Sequence, residues 1–180
     1  MPIDQDNFKA LSDFAAVAAE YCQFIDRFRE GRPDNLYTKL EALLPRIHRA
    51  ILPVRSEMAE EKHSEFAALE MNHDQAAAIS RLIEETVSPE KNLLIEWHNG
   101  IASSDMESYS PDATRAFMLF DDLAGIYREL RDGLALWNVG TPDAQAEAAW
   151  QWRFNYEFHW GEHLFQAMLT VHEIHYHFAD

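Results

Sequence analysis

Apolar residues recur at three- and four-residue steps along most of the chain, which is the spacing of one face of an α-helix. The pattern predicts a first helix over about residues 7–30, followed by the stop signal Gly31-Arg32-Pro33. A second predicted helix is capped by Asp34, contains Pro45 and ends at Pro53. Residues 54–73 are rich in Glu and weakly periodic, so we expect a solvated connection there, with room for a loose helical turn.

The middle of the chain predicts one short helix and a loop. The helix begins near Asp74 and ends at Ser88-Pro89, a short apolar segment follows over residues 93–97, and small polar residues fill the loop at 99–111. Ser110 is placed to cap the next helix, whose first residue would be Pro111.

The C-terminal part predicts two long helices joined by a tight turn. An apolar stripe continues to Trp137, and Gly140-Thr141-Pro142 then supplies a C-terminal glycine, an N-cap and a proline at the first helical position. The final helix runs from about Asp143 to the histidine-rich end, antiparallel to its predecessor. Since no strand-like alternation interrupts the chain, we expect an all-α, up-and-down bundle of four to five helices, forming a single domain over residues 1–180 and ending in an antiparallel helical hairpin.

Charge and composition restrict the partners and the compartment. The chain has 31 acidic and 15 basic side chains, so its net charge of -16 repels nucleic-acid phosphates and anionic lipids. No window approaches the roughly 20 apolar residues that a membrane-spanning helix needs. The N-terminus does not resemble a signal peptide, and Cys22 is the single cysteine, so we expect a cytoplasmic protein without nucleic-acid or membrane partners.

The richest chemistry lies in residues 150–163, where charged groups and imidazoles stand among large aromatics. On a uniform α-helix Arg153 and Glu157 fall near the centre of the apolar face, which predicts a buried ion pair. Gly161 leaves room for another helix to approach. We expect the aromatic residues of this run to belong to the core, among them Trp150, Trp152 and Phe158.

The tight turn near Thr141 predicts which residues of the preceding helix face this run. Glu129 comes opposite Arg153, and Asp122 comes level with Trp160, between two histidines one helical turn apart. The neighbouring Asp121 points away from the apolar stripe. The predicted polar constellation is therefore Asp122, Glu129, Arg153, Glu157, His159 and His163.

Two chemical interpretations of this constellation remain open. Asp122, His159 and His163 form a two-histidine, one-carboxylate set that can hold a divalent metal, with Glu157 as the general base of a hydrolase. The same groups can instead form a buried network that satisfies their polar atoms and needs no cofactor. Helical metal bundles usually repeat a Glu-x-x-His motif, and no second copy contributes to this cluster.

Two motifs in order carry a resemblance to a known family. Asp121-Asp122-Leu123 on one helix is followed by Trp152-Arg153-Phe154 and by His159-Trp160-Gly161-Glu162-His163 on the next. This pairing resembles a bacterial family designated domain of unknown function 5063. The resemblance implies an all-helical cytoplasmic protein with no assigned activity.

Two classes of function therefore remain. One is a non-enzymatic binding or protein-interaction module, whose partner is an unknown protein or a second copy of the chain. The other is a metal-dependent enzyme built on the two-histidine, one-carboxylate set.

Overall fold

The computed structural model describes residues 5–56, 64–102 and 111–177, and within them the chain is helical, without strands. The helices are α1 (Gln5–Asp26), α2 (Leu36–Ile51), α3 (His73–Ala102), α4 (Pro111–Trp137), α5 (Pro142–Asn155) and α6 (Gly161–His177). A π-helical turn, Tyr156–Trp160, joins α5 to α6, so these form one long interrupted helix. The predicted all-α architecture is confirmed.

Helix α4 is the centre of the bundle, because it packs against α1, α3, α5 and α6. Helix α2 packs against α1 and α6. The core contains the fully buried Trp152 and Trp160, whose indoles both contact Phe14 of α1 at centroid distances of 4.9 and 6.2 Å. Burial of these aromatics attaches the C-terminal helix to the bundle.

The tight turn between α4 and α5 forms as the sequence predicts. Gly140 has a φ of 79°, a value that favours glycine, and the Thr141 side chain accepts a hydrogen bond from the backbone N–H of Ala144. Pro142 occupies the first helical position.

Helix α3 corrects the prediction for the middle of the chain. Instead of ending at Pro89 it continues to Ala102, so the apolar segment at 93–97 and the start of the predicted loop are helical. A proline inside a helix removes one backbone hydrogen bond, yet α3 continues through Pro89, and the helix as a whole packs on α4. Residues 103–110, with the predicted Ser110 cap, lie outside the described residues.

One smaller prediction also changes. Helix α2 begins after Asn35, which occupies the N-cap position without a side-chain hydrogen bond, so Asp34 is not the cap. In the connection predicted to have room for a loose helical turn, Ser64–Leu69 forms a 3-10 helix. The stretch 57–63 lies outside the described residues.

The π-helical turn is the feature that positions the site. In an uninterrupted α-helix, residues eight apart differ by about 80° around the axis. The wider turn brings Trp152 and Trp160 onto the same core-facing side, and the Trp160 indole N–H donates to the carbonyl oxygen of Trp152 at 3.2 Å.

Candidate functional site

Asp122 and His163 form the most buried polar contact between α4 and α6. The His163 Nδ1 lies 2.7 Å from Asp122 Oδ1, and the carboxylate side chain is only 5% exposed. The hydrogen bond to Asp122 raises the pKa of His163, and burial raises the pKa of Asp122 against the opposing effect of the imidazole. The predicted contact between Asp122 and an imidazole is present.

Glu129 makes the second carboxylate–imidazole contact, about two helical turns farther along α4. Its Oε1 lies 3.0 Å from Nδ1 of His159, and its Oε2 accepts a hydrogen bond of 2.7 Å from Asn155. The two imidazole rings meet edge to face, with centroids 4.9 Å apart. Each histidine therefore has its own carboxylate, and both pairs tie α4 to the C-terminal helix.

This arrangement does not form the predicted metal-ligand set. Asp122 contacts His163, while His159 turns its Nδ1 toward Glu129. Across residues 5–56, 64–102 and 111–177, no three His, Cys, Asp or Glu side chains are grouped to hold a metal ion. In this geometry a different carboxylate therefore engages Nδ1 of each ring, which favours two separate carboxylate–imidazole pairs over a common ligand set of Asp122, His159 and His163.

A small cleft adjoins the two histidines. It encloses about 190 Å³ between α3, α4 and the C-terminal helix, and its lining includes Ser80, Asp121 and Arg128 with the two imidazoles. Gly125 lies beneath the His163 ring, since a Cβ there would come 3.2 Å from His163 Cδ2. Glycine at this position allows the imidazole to lie close to α4.

Arg153 and Glu157 pair as predicted, but not in the core. Arg153 Nε donates to Glu157 Oε1 at 2.8 Å, with the side chains 27% and 46% exposed. The predicted proximity of Arg153 to Glu129 is wrong, because Glu129 engages His159 and Asn155 instead. The uniform helical wheel fails here because the π-helical turn rotates the residues before it relative to those after it.

Gly161 also differs from its predicted role. A Cβ at this position would overlap the carbonyl oxygen of Tyr156, which belongs to the π-helical turn itself. The close neighbour is therefore not another helix. Gly161 provides the space that this wider turn requires.

The C-terminal helix carries an exposed apolar row that the sequence analysis missed. Trp150 stacks on Phe154 with the ring centroids 5.0 Å apart, Phe154 contacts Phe158 at a tilt with the centroids 4.8 Å apart, and Phe158 is 72% exposed. The expected core role holds for Trp152 and Trp160, whereas Trp150 is half-buried and Phe158 is exposed. The row continues along α6 with Phe165, Leu169 and Tyr176, all exposed. We call the solvent-facing row Trp150, Phe154, Phe158, Glu162, Phe165, Leu169, His172 and Tyr176 the outer seam.

A second, larger cleft flanks the outer seam. It encloses about 610 Å³ and is lined by Leu52 and Val54 after α2, and by Trp150, Arg153 and Phe154. Leu52 is itself half exposed. The seam and this cleft together place apolar and arginine side chains side by side, a combination that is enriched in protein interfaces.

The family follows from comparison with known proteins. A family model with the description Domain of unknown function (DUF5063) matches residues 5–177. The chain belongs to DUF5063. No functionally curated protein matches it.

A solved structure supports the same fold for this DUF5063 member. The crystal structure of protein BF1032 from Bacteroides fragilis superposes with a TM-score of 0.72 at 18% sequence identity, covering 94% of each chain. At this identity the likeness concerns the fold alone. Within the described residues, no helix has the length and apolar character needed to cross a membrane.

Proposed function

We propose that this chain is a non-enzymatic protein-interaction module that presents the outer seam to another protein chain. The observation that carries the proposal is the row of ring contacts from the half-buried Trp150 through the exposed Phe154 to the exposed Phe158, extended by the exposed Phe165 on α6. Single exposed apolar residues are ordinary, whereas a contiguous row of aromatics marks an interaction surface.

The apolar area of the seam can supply a favourable free energy of binding to a partner. Covering an exposed phenylalanine removes enough apolar surface from water to contribute about 2 kcal/mol. Aromatic side chains also lose little conformational entropy on binding, because they have only two side-chain torsions. Several such residues in one row can therefore act as the energetic centre of an interface.

The two carboxylate–imidazole pairs have a structural role in this proposal. The contacts from Asp122 to His163 and from Glu129 to His159 fix how the C-terminal helix is rotated and shifted against α4. Together with the buried Trp152 and Trp160, they direct the opposite side of that helix to solvent. The polar network thus positions the seam without contacting the partner.

Charge and redox chemistry indicate the kind of partner and setting. A net charge of -16 favours a protein partner over a nucleic acid. Cys22 is buried as a free thiol, which is consistent with a cytoplasmic, reducing compartment. We therefore propose that this chain is a cytoplasmic bacterial protein.

Site-specific photo-cross-linking in living cells that express the protein tests the proposal. A photoreactive phenylalanine analogue replaces Phe158 or Phe165 in the seam, and exposed Gln23 on α1 serves as the control position. We expect a discrete cross-linked protein product from both seam positions and none from Gln23. Equal labelling at all three positions, or no product from the seam, would show that the seam is not a docking surface.

A further inference from the structure

The outer seam has the periodicity of a helix that packs against another helix. From Phe158 onward its residues follow at alternating steps of four and three: Phe158, Glu162, Phe165, Leu169, His172 and Tyr176, all exposed. Before the π-helical turn, exposed or half-buried positions of α5 continue at similar steps through Asp143, Ala146 and Trp150. Such spacing is that of the contact seam of paired helices.

The two halves of this surface are complementary when one copy is reversed. If a two-fold axis passes between Glu157 and Phe158, three pairs within the C-terminal helix come level: His172 with Asp143, Leu169 with Ala146, and Phe165 with Trp150. Each pair is either two apolar side chains or an imidazole with a carboxylate. The same register also brings Glu162 level with Arg153.

We infer that the outer seam binds a second copy of this chain, with the two C-terminal helices antiparallel and Phe158 at the two-fold axis. The inference rests on the proposed function, since it names the partner for the same surface. An isologous contact uses one patch twice, so it requires the self-complementarity seen in these three pairs. The two Phe158 side chains, which are the most exposed of the large apolar side chains that the structure describes, would then cover each other.

The extent of the contact predicts a reversible dimer. Overlap from Asp143 to His172 makes the contact about 44 Å long and one helix, about 10–12 Å, wide. Two copies would bury roughly 900–1,050 Å² in total, which is in the range of weak, transient interfaces. The net charge of -16 on each copy also opposes association, so we expect dissociation on dilution.

Sedimentation of the purified protein tests dimer formation. Over about 5–200 µM, a range suited to a small interface, we expect the weight-average mass to rise from monomer toward dimer. Phe158→Glu should weaken association at least about tenfold, because it places two carboxylates at the axis. Gln23→Glu, an exposed change on α1, should leave association unaltered. A wild-type monomer throughout the range would overturn the inference.

Cysteine cross-linking tests the register. The variant Ala146→Cys with Leu169→Cys pairs two positions that come level, and mild oxidation should give a covalent dimer. The variant Ala146→Cys with Phe165→Cys is displaced by one helical turn, about 5–6 Å, so its thiols should not reach each other. Cys22 is buried, and the unmodified protein therefore controls for unintended disulfides. Equal cross-linking of both variants would reject this register.

The two proposals can fail separately. If the protein stays monomeric while position 158 cross-links to a different protein in cells, the seam is a docking surface and the second copy is the wrong occupant. If position 158 gives no product and the protein stays monomeric, both proposals are wrong. A cross-linked product of twice the chain mass, together with the register-specific disulfide, would support both.

Discussion

Replacement of Gly161 by Ala tests whether the π-helical turn determines the orientation of the C-terminal helix. The added Cβ would lie closer than 3.0 Å to the carbonyl oxygen of Tyr156, a separation that real Cβ atoms essentially never show. Because the obstructing atom is backbone, it can move only if the turn itself changes. We therefore expect Gly161→Ala to destabilise the fold.

The magnitude follows from two opposing contributions. Alanine improves helix propensity by about 1 kcal/mol relative to glycine. Overpacking in a closely packed region costs about 1–3 kcal/mol, and the upper part of that range applies where backbone must shift. The expected net loss is thus about 1–2 kcal/mol in the free energy of unfolding, if the two contributions combine additively.

Gly125 and Gly133, which both lie on α4, provide a graded comparison with Gly161. At Gly133 a Cβ would overlap the indole of the fully buried Trp152, so Gly133→Ala should cost more, about 3 kcal/mol. At Gly125 the nearest atom is 3.2 Å away and belongs to the His163 side chain rather than to backbone, so a shift of a few tenths of an ångström relieves the contact and the change should stay within about 1 kcal/mol.

Urea unfolding of the three variants provides the measurement, with near-ultraviolet circular dichroism to report the tryptophan environment. The expected order of destabilisation is Gly133→Ala, then Gly161→Ala, then Gly125→Ala. An increase of about 1 kcal/mol in the stability of Gly161→Ala, the value expected from propensity alone, would refute the assigned role of the turn.

Three further predictions concern charged groups. His163→Gln should remove a pH-dependent part of the free energy of unfolding, because Asp122 raises the pKa of His163 in the folded protein. That part is present below about pH 6.5 and is lost as the pH rises through the higher folded-state pKa. NMR titration of the wild-type imidazole measures this pKa. An imidazole that titrates below its ordinary value would contradict this sign. Burial raises the pKa of Asp132 to about 6, so the ionised carboxylate opposes folding above that pH. Asp132→Asn should therefore stabilise the protein by about 1–3 kcal/mol at pH 8 but not at pH 4, while the amide oxygen still accepts the hydrogen bond from the Met71 N–H. Unchanged urea midpoints at both pH values would count against this prediction. Arg153→Ala should cost less than about 1 kcal/mol in urea unfolding, since its ion pair with Glu157 is solvent-exposed; a loss above about 3 kcal/mol would restore the buried pair.

The sequence predicts well those parts of the structure that depend on local chemistry. Gly140-Thr141-Pro142 defines the hairpin because each residue suits one backbone position. That turn also brings Asp122 to the level of His163. Helical periodicity identifies α1 and α4 because their apolar stripes are continuous.

The remaining differences come from tertiary packing. Pro89 is a strong local stop signal, yet α3 continues through it along α4. No amino-acid composition marks a π-helical turn unambiguously in a sequence. The wider turn at Tyr156–Trp160 changes which face of the helix carries Arg153. Phe158 illustrates a third limit. Its hydrophobicity favours a core position, but the sequence does not distinguish a side chain buried in the core from one exposed on a binding surface.

Side-chain footprinting with hydroxyl radicals in the producing cells tests the central claim most directly, because it measures whether the outer seam is covered. The reactivities of Phe154, Phe158 and Phe165 would be compared with those in purified protein at high dilution, with exposed Phe8 on α1 as an internal reference. We predict that the three seam residues are protected in cells relative to Phe8. Equal reactivity of seam and reference residues in both samples would contradict a docking role for the seam.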